Sequence, residues 1–176
     1  MKLLLLLRHA KAQREPVSDD AARPLAAEGE EAAARIGRFL AAAGIRPDAL
    51  LTSPALRARD TLARVAAVAG WEAPQQERPF YETTPAGVLA SLRELPGEVE
   101  VALASGHEPT WSETASRLIG GGSLKLATGA VAAVGLDIQG WGELSGGRGE
   151  LLWLVSPKLL AGMEISPRSD RAVASP

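Results

Sequence analysis

Five consecutive leucines, residues 3–7, run straight into Arg8 and His9 with no turn residue between them. A short, unbroken apolar run suits a strand buried on both faces, the kind found inside a parallel sheet covered by helices. The abrupt change to Arg-His puts two side chains able to bind phosphate where such a strand ends. Open α/β sheets hold their ligands outside the carboxyl ends of the strands. Arg8-His9 is therefore a candidate half of an active site, and the alternative is an ordinary strand leaving the core through polar residues.

The rest of the chain limits what such a site can be. A chain of 176 residues fits one domain with a substantial core, expected over 1–162, with a tail at 163–176. Net charge of −2 excludes a nucleic-acid surface built on bulk basicity, though not a local basic pocket. Cysteine is absent, which excludes disulfides, thiolate zinc sites and a cysteine nucleophile. Only two histidines occur, His9 and His107, so no metal and no cofactor is expected. The leading apolar run ends at Arg8, short of the usual signal-peptide core of about 7–15 residues, and no small-residue cleavage site follows. No other segment approaches the roughly 20 apolar residues of a membrane span. The reading is a soluble, cytoplasmic protein without membrane or nucleic-acid partners, whose oligomeric state the sequence leaves open.

Helix and strand signals then alternate. A polar loop over 12–23 leads to Pro24-Leu25, which opens a helix to about Ala43, stopped by Gly44. Ala32, Ile36, Phe39, Leu40 and Ala43 mark its buried face. A strand over 48–52 meets Ser53-Pro54, an N-cap followed by proline at the first helical position, and the helix runs to Ala69 with Arg57 in its first turn. A connection over 71–80 holds a short strand near 75–78. Thr84-Pro85 repeats the cap-then-proline signal ahead of Val88, Leu89, Leu92 and Leu95. Val99, Val101 and Leu103 alternate with more polar neighbours in a strand leading to Ser105-Gly106-His107, and Pro109 opens a helix to about Ile119. Two apolar strands, 130–137 and 150–155, flank a glycine-rich connection as a near-hairpin. Residues beyond Gly162 are expected to be disordered. Alternating strands and helices predict an α/β fold: a three-layer α/β/α sandwich around a mostly parallel sheet.

Three strand ends carry polar residues: Arg8-His9, Ser53 with Arg57, and His107. Parallel strands bring them to one edge, where two arginines and two imidazoles make a site for a small dianion. A neutral histidine can attack phosphorus or donate to the developing charge. With no cysteine present, histidine is the obvious nucleophile. Neither arginine is expected to be needed to complete the core.

Arg8-His9-Ala10-Lys11, the stretch SPALRARDTL at 53–62, and Ser105-Gly106-His107-Glu108-Pro109 resemble the histidine phosphatase superfamily, with its phosphoglycerate-mutase-like fold. Within it the chain is most similar to the small SixA-type phosphohistidine phosphatases. Arg23-Pro24-Leu25 with Gly29, Tyr81-Glu82, Thr128-Gly129-Ala130 and WLVSPKLL at 153–160 extend the likeness over about residues 2–160. The resemblance implies that His9 accepts the phosphoryl group while Arg8, Arg57 and His107 hold its oxygens. Ala10 stands where the broad pattern has glycine, which weakens a mutase reading more than a phosphatase one. No large cap insertion is visible. Glu82 is the candidate general acid, weighed equally against a solvated residue near a helix start. Ser53 either reaches the phosphate or merely caps a helix. Glu108 is expected on the surface, and Trp111, Trp141 and Trp153 in packing.

The implied activity is a metal-independent phosphatase with a phosphohistidine intermediate, acting on phosphohistidine in a protein partner. The alternative is a phosphomonoesterase for a small phosphorylated metabolite or phosphopeptide. A mutase, and a non-enzymatic phosphate-binding module, rank behind these.

Overall fold

A computed structural model describes residues 1–14, 19–74 and 76–163. The leucine run lies in strand β1, Lys2–Arg8, at the centre of a six-stranded sheet. The other elements follow in chain order: α1 Ala27–Ala42, β2 Ala49–Thr52, α2 Leu56–Ala69, β3 Gln76–Glu77, α3 Pro85–Arg93, β4 Val101–Gly106, α4 Thr110–Leu118, β5 Val131–Leu136 and β6 Gly149–Val155. The strand order is β3-β2-β4-β1-β5-β6. The first four strands in that order are mutually parallel, and β5 and β6 run antiparallel to their neighbours.

Successive side chains of a strand point to opposite faces, so the leucines divide between two cores. Leu4 and Leu6 pack with Val88, Leu92, Trp111 and Leu118, beneath α3 and α4. Leu5 and Leu7 pack with Ile36, Leu40, Leu62 and Val65, beneath α1 and α2. All four are fully buried, and each such side chain contributes about 2 kcal/mol relative to exposure. The sandwich is therefore three-layered, and a strand clamped on both faces has no use for alternating polarity. The same reason corrects the reading of β4: Ala102, Leu103 and Ala104 are all fully buried, and the polar Glu98 and Glu100 lie before the strand.

Two helix starts shift. Helix α1 begins at Ala27 rather than at Pro24-Leu25. Leu25 instead bridges Ala12 in an antiparallel contact, and the Ala26 N–H donates to the Lys11 carbonyl. Here α1 approaches the chain so closely that a Cβ on Gly29 would lie 2.2 Å from the Lys11 oxygen. Ala43, at the end of the expected buried face, is exposed. Helix α2 begins at Leu56 with Ala55 as its N-cap, so Ser53-Pro54 precedes the helix and Ser53 is released for another task. The disorder expected over 163–176 falls, apart from Met163, outside the described residues.

Register positions the site. Arg8 stands beside Gly106, and Thr52 beside Ser105, so β1, β2 and β4 finish level with one another. The segments leaving them carry His9, Ser53 and His107. Strand β4 lies between β1 and β2, so the chain crosses over it in passing from β1 to β2. Such a switch is where an open α/β sheet forms a crevice.

Candidate active site

His9 is held by its backbone before its ring is considered. Its N–H donates to the Gly106 carbonyl at 2.9 Å, and its carbonyl accepts the Gly129 N–H at 3.1 Å. Gly106 must lack a side chain, because a Cβ there would meet the Trp111 indole at 2.2 Å. Within the ring, Nδ1 lies 2.8 Å from the Ala10 carbonyl. A carbonyl only accepts, so Nδ1 carries the proton and Nε2 keeps its lone pair. That lone pair faces Arg57, whose Nε donates to it at 3.4 Å. Burial lowers the His9 pKa from 6.5 to about 4, with the charges of Arg57, Arg8 and Arg23 adding to the effect. His9 is thus a neutral imidazole with one free nitrogen at neutral pH.

Arg57 sits in the first turn of α2 and is buried. Its Nη1 donates to the main-chain carbonyl of Asp20 at 2.7 Å and its Nη2 to the Asp20 carboxylate at 2.9 Å. The same carboxylate accepts the Tyr81 hydroxyl at 2.9 Å and Arg23 Nε at 2.7 Å. Burial alone would raise the Asp20 pKa, but the bonds from Tyr81 and Arg23 and the charge of Arg57 hold it below the usual value. The Tyr81 ring lies 5.8 Å from the Arg57 guanidinium carbon and 5.4 Å, edge to face, from the His107 ring. Arg57 therefore also ties down the short 3-10 turn Asp20–Ala22, a structural bond that the sequence does not announce.

Arg8 donates through Nη1 to the Leu126 carbonyl at 2.8 Å. Its Nε is buried and makes no hydrogen bond within the described residues. Its charge contributes to the lowered pKa of both histidines.

His107 follows β4, with its ring centroid 5.0 Å from that of His9. Its Nε2 lies 2.8 Å from the Ser53 hydroxyl, and that hydroxyl also accepts the Ala55 N–H at 3.2 Å. The buried Ser53 hydroxyl proton has no other acceptor among the described residues, so it is donated to Nε2, leaving Nδ1 as the N–H of the neutral ring. Nδ1 is buried without a partner among the described residues, so it can donate to an oxyanion. Burial lowers the His107 pKa to about 3, helped by His9 and Arg57. Ser53 is fully buried, and its hydroxyl is spent on His107 and on the turn before α2. Of the two roles weighed for Ser53, the observed bond to the Ala55 N–H belongs to the turn before α2, and the bond to His107 is an addition to both.

A cavity of about 350 Å³ opens in front of these residues, walled by Arg57, His107, Asp20, Tyr81, Glu82 and Glu108 among others. Glu82 is exposed and adopts a left-handed backbone, φ 50°, unusual for a residue with a side chain. It belongs to the mouth, as a candidate acid must. Glu108 departs from its expected surface role: half-buried, it accepts the Ser112 N–H and hydroxyl at 3.2 and 2.6 Å, and Ser112 in turn accepts the Leu126 N–H. Trp111 and Trp141 are buried, and Trp153 packs edge-on against Phe39.

Two residues escape a reading of the sequence. Asp20 is one of several polar residues in a loop, and only its place three residues ahead of Arg23-Pro24-Leu25 sets it apart. Thr61 is fully buried; its hydroxyl accepts the Ala10 N–H at 2.9 Å and donates to the Arg57 carbonyl at 2.6 Å, linking the His9 loop to α2. Its spacing four residues after Arg57 was the available signal.

Two arginines and two neutral imidazoles at the ends of three parallel strands, with Arg57 and His107 lining the cavity, make a site suited to a small dianion, with a free imidazole nitrogen at His9. The model of the histidine phosphatase superfamily, branch 1, matches residues 4–87. The protein histidine phosphatase SixA, in a complex with tungstate, superposes with a TM-score of 0.75 at 28% identity, covering 90% of this chain and 99% of that one. A protein of Nakamurella multipartitia assigned as the phosphohistidine phosphatase SixA gives 0.74 at 26% identity, covering 89% and 96%. An uncharacterised chloroplastic protein of Arabidopsis thaliana is 32% identical over 169 residues, covering 88% of this chain and 77% of its own length. The chain belongs to the histidine phosphatase superfamily. Within it the chain is of the SixA type, a phosphatase without a large insertion over the site.

Proposed function

We propose that residues 1–162 act as one metal-independent catalytic domain that removes the phosphoryl group from phosphohistidine in a protein partner, through a phosphohistidine formed on His9. The observation that carries this reading is the His9 ring itself, with Nδ1–H fixed on Ala10 and the Nε2 lone pair turned toward Arg57. In the first step Nε2 attacks phosphorus and the bond from phosphorus to the substrate nitrogen breaks. The electron pair leaves on that nitrogen, which takes a proton from Glu82 or from water. In the second step water attacks phosphorus, the bond to Nε2 breaks, and inorganic phosphate departs as Glu82 or solvent accepts the water's proton. Arg8, Arg57 and the His107 Nδ1–H meet the charge on the transferring oxygens, so fixed donors already supply the stabilisation asked of a metal ion.

A protein substrate is supported by the open mouth, which lets a side chain reach His9 while still attached to its domain. The curated relative is uncharacterised and adds nothing on this point, whereas the SixA neighbours are named for phosphohistidine hydrolysis. The test is a single turnover with radiolabelled phosphohistidine peptide in EDTA, quenched rapidly in base. Label should appear on the enzyme as an acid-labile, base-stable adduct, vanish in His9→Asn, and reappear as phosphate. Label on another residue, or inactivation by EDTA reversed by a divalent ion, would overturn the mechanism. Turnover of aryl phosphate with none of phosphohistidine would leave the mechanism and overturn the substrate.

A further inference from the structure

A second cavity is larger than the catalytic mouth, about 670 Å³ against about 350 Å³, and shares no lining residue with it. It nevertheless starts at Lys11, two residues from His9. A second link is Asp20, whose carboxylate takes Arg23 of this groove on one oxygen and Arg57 of the active site on the other. The groove runs between the first half of α1 and the segment that follows β6.

Its charge is opposite to that of the chain. Lys11, Arg14, Arg23, Arg35 and Lys158 line it against Glu28 and Glu31, five cations to two carboxylates in a protein of net charge −2. Lys11 is paired with Glu28, and Arg35 with Glu31. Arg14 and Lys158 are exposed and have no ion-pair partner among the described residues. Beside Lys158 and Ala161 stand Leu159 and Met163, 64% and 60% exposed, two of the four large apolar side chains left in solvent among the described residues. Unspent cations bordered by exposed apolar groups match a protein surface better than a small metabolite. A metabolite held in the catalytic mouth cannot use a separate groove, whereas a protein presenting its phosphohistidine to His9 can rest on both.

We propose that this groove docks an acidic surface of the phosphohistidine-bearing protein and holds it while the phosphoryl group is presented to His9. The inference rests on the proposed reading of the substrate. Its expected signature is a preference carried by KM and by association rate, weakened by salt, because the cations act at the encounter rather than in the chemical step.

The test uses three substrates: p-nitrophenyl phosphate, a phosphohistidine peptide with Asp and Glu flanks, and the same peptide with Ser flanks. The wild-type enzyme should favour the acidic peptide by about tenfold or more in kcat/KM at low salt. The double variant Arg14→Glu, Lys158→Glu should lose that preference while hydrolysing p-nitrophenyl phosphate as before. Equal use of the two peptides by the wild type, or an unchanged preference in the variant, would overturn the docking surface. Should neither peptide be hydrolysed, the substrate reading fails, and fluorescence anisotropy with the unphosphorylated acidic peptide decides the groove separately. Binding to the wild type and not to the variant sustains an acidic-partner surface, and no binding to either overturns it.

Discussion

Asp20 takes both arms of the Arg57 guanidinium, one on its main-chain carbonyl at 2.7 Å and the other on its carboxylate at 2.9 Å. With those two donors engaged, the guanidinium cannot turn about its long side chain, and its Nε stays on His9. The pair joins the loop after β1 to the first turn of α2, and it makes a half-exposed carboxylate responsible for the aim of a buried cation.

Removing the Asp20 carboxylate should therefore cost catalysis more than stability. For Asp20→Ala we expect kcat/KM to fall about 10–100-fold, equivalent to roughly 1.4–2.7 kcal/mol. The melting temperature should change little, because the main-chain bond to Nη1 survives and the bonds lost are those of a half-exposed carboxylate. Asp20→Asn should recover part of the activity through its remaining acceptor. Steady-state kinetics and thermal unfolding on the same samples check this. Faster turnover in either variant would mean that the carboxylate competes with phosphate for Arg57 instead of aiming it.

Ser53 sets the tautomer of His107, so its loss should appear as weaker oxyanion binding. Ser53→Ala leaves Nε2 of His107 without its donor and frees the ring to place its proton on either nitrogen. Phosphate and vanadate affinity should drop by about tenfold, and stability by about 1 kcal/mol for the lost buried hydrogen bond. Nitrogen-15 spectra of the imidazoles read the tautomer directly. A wild-type His107 found with its proton on Nε2 would refute this assignment.

Stability should decline in acid from the two histidines. In the unfolded chain each takes up a proton as pH falls through about 6.5; in the native state His9 waits until about 4 and His107 until about 3. Between those limits the unfolded state binds more protons, so the contribution of both groups is fully present above about pH 6.5 and is lost progressively on acidification. Denaturant melts from pH 7 to 4 should show the decline, and it should be shallower in His9→Asn. The acid limb of kcat/KM should likewise fall nearer pH 4 than pH 6.5, since the attacking nitrogen stays unprotonated in between. An acid limb centred on 6.5 would mean that burial and the arginines do not depress His9 as described.

Glu82 lines the mouth with its carboxylate in solvent, so its value depends on how much help the leaving group needs. Glu82→Gln should cut hydrolysis of an alkyl phosphate by about 10–100-fold while leaving p-nitrophenyl phosphate, whose leaving group needs no proton, within a few-fold of wild type. Comparing the two substrates under saturation separates a proton donor from a solvated bystander. Equal losses on both would mean a distorted mouth around a residue held in the left-handed region, and not a lost proton donor.

The leucine run, the proline and glycine punctuation and the helical periodicities determine by themselves that strands alternate with helices and that three strand ends carry Arg8-His9, Ser53 and His107. These signals are legible because each acts within a turn or two of the chain: a cap reaches three residues, a strand alternates every two. Where α1 and α2 begin was decided instead by contacts between elements, the Lys11 carbonyl on Ala26 and the Ser53 hydroxyl on His107. The wiring of the site is of the same kind. Asp20 reaches Arg57 across 37 positions, Thr61 reaches Ala10 across 51, and Ser53 reaches His107 across 54. No local spacing encodes bonds of that range. They exist because β1, β2 and β4 pair in parallel with their ends level, and only the folded sheet brings those residues within hydrogen-bond distance.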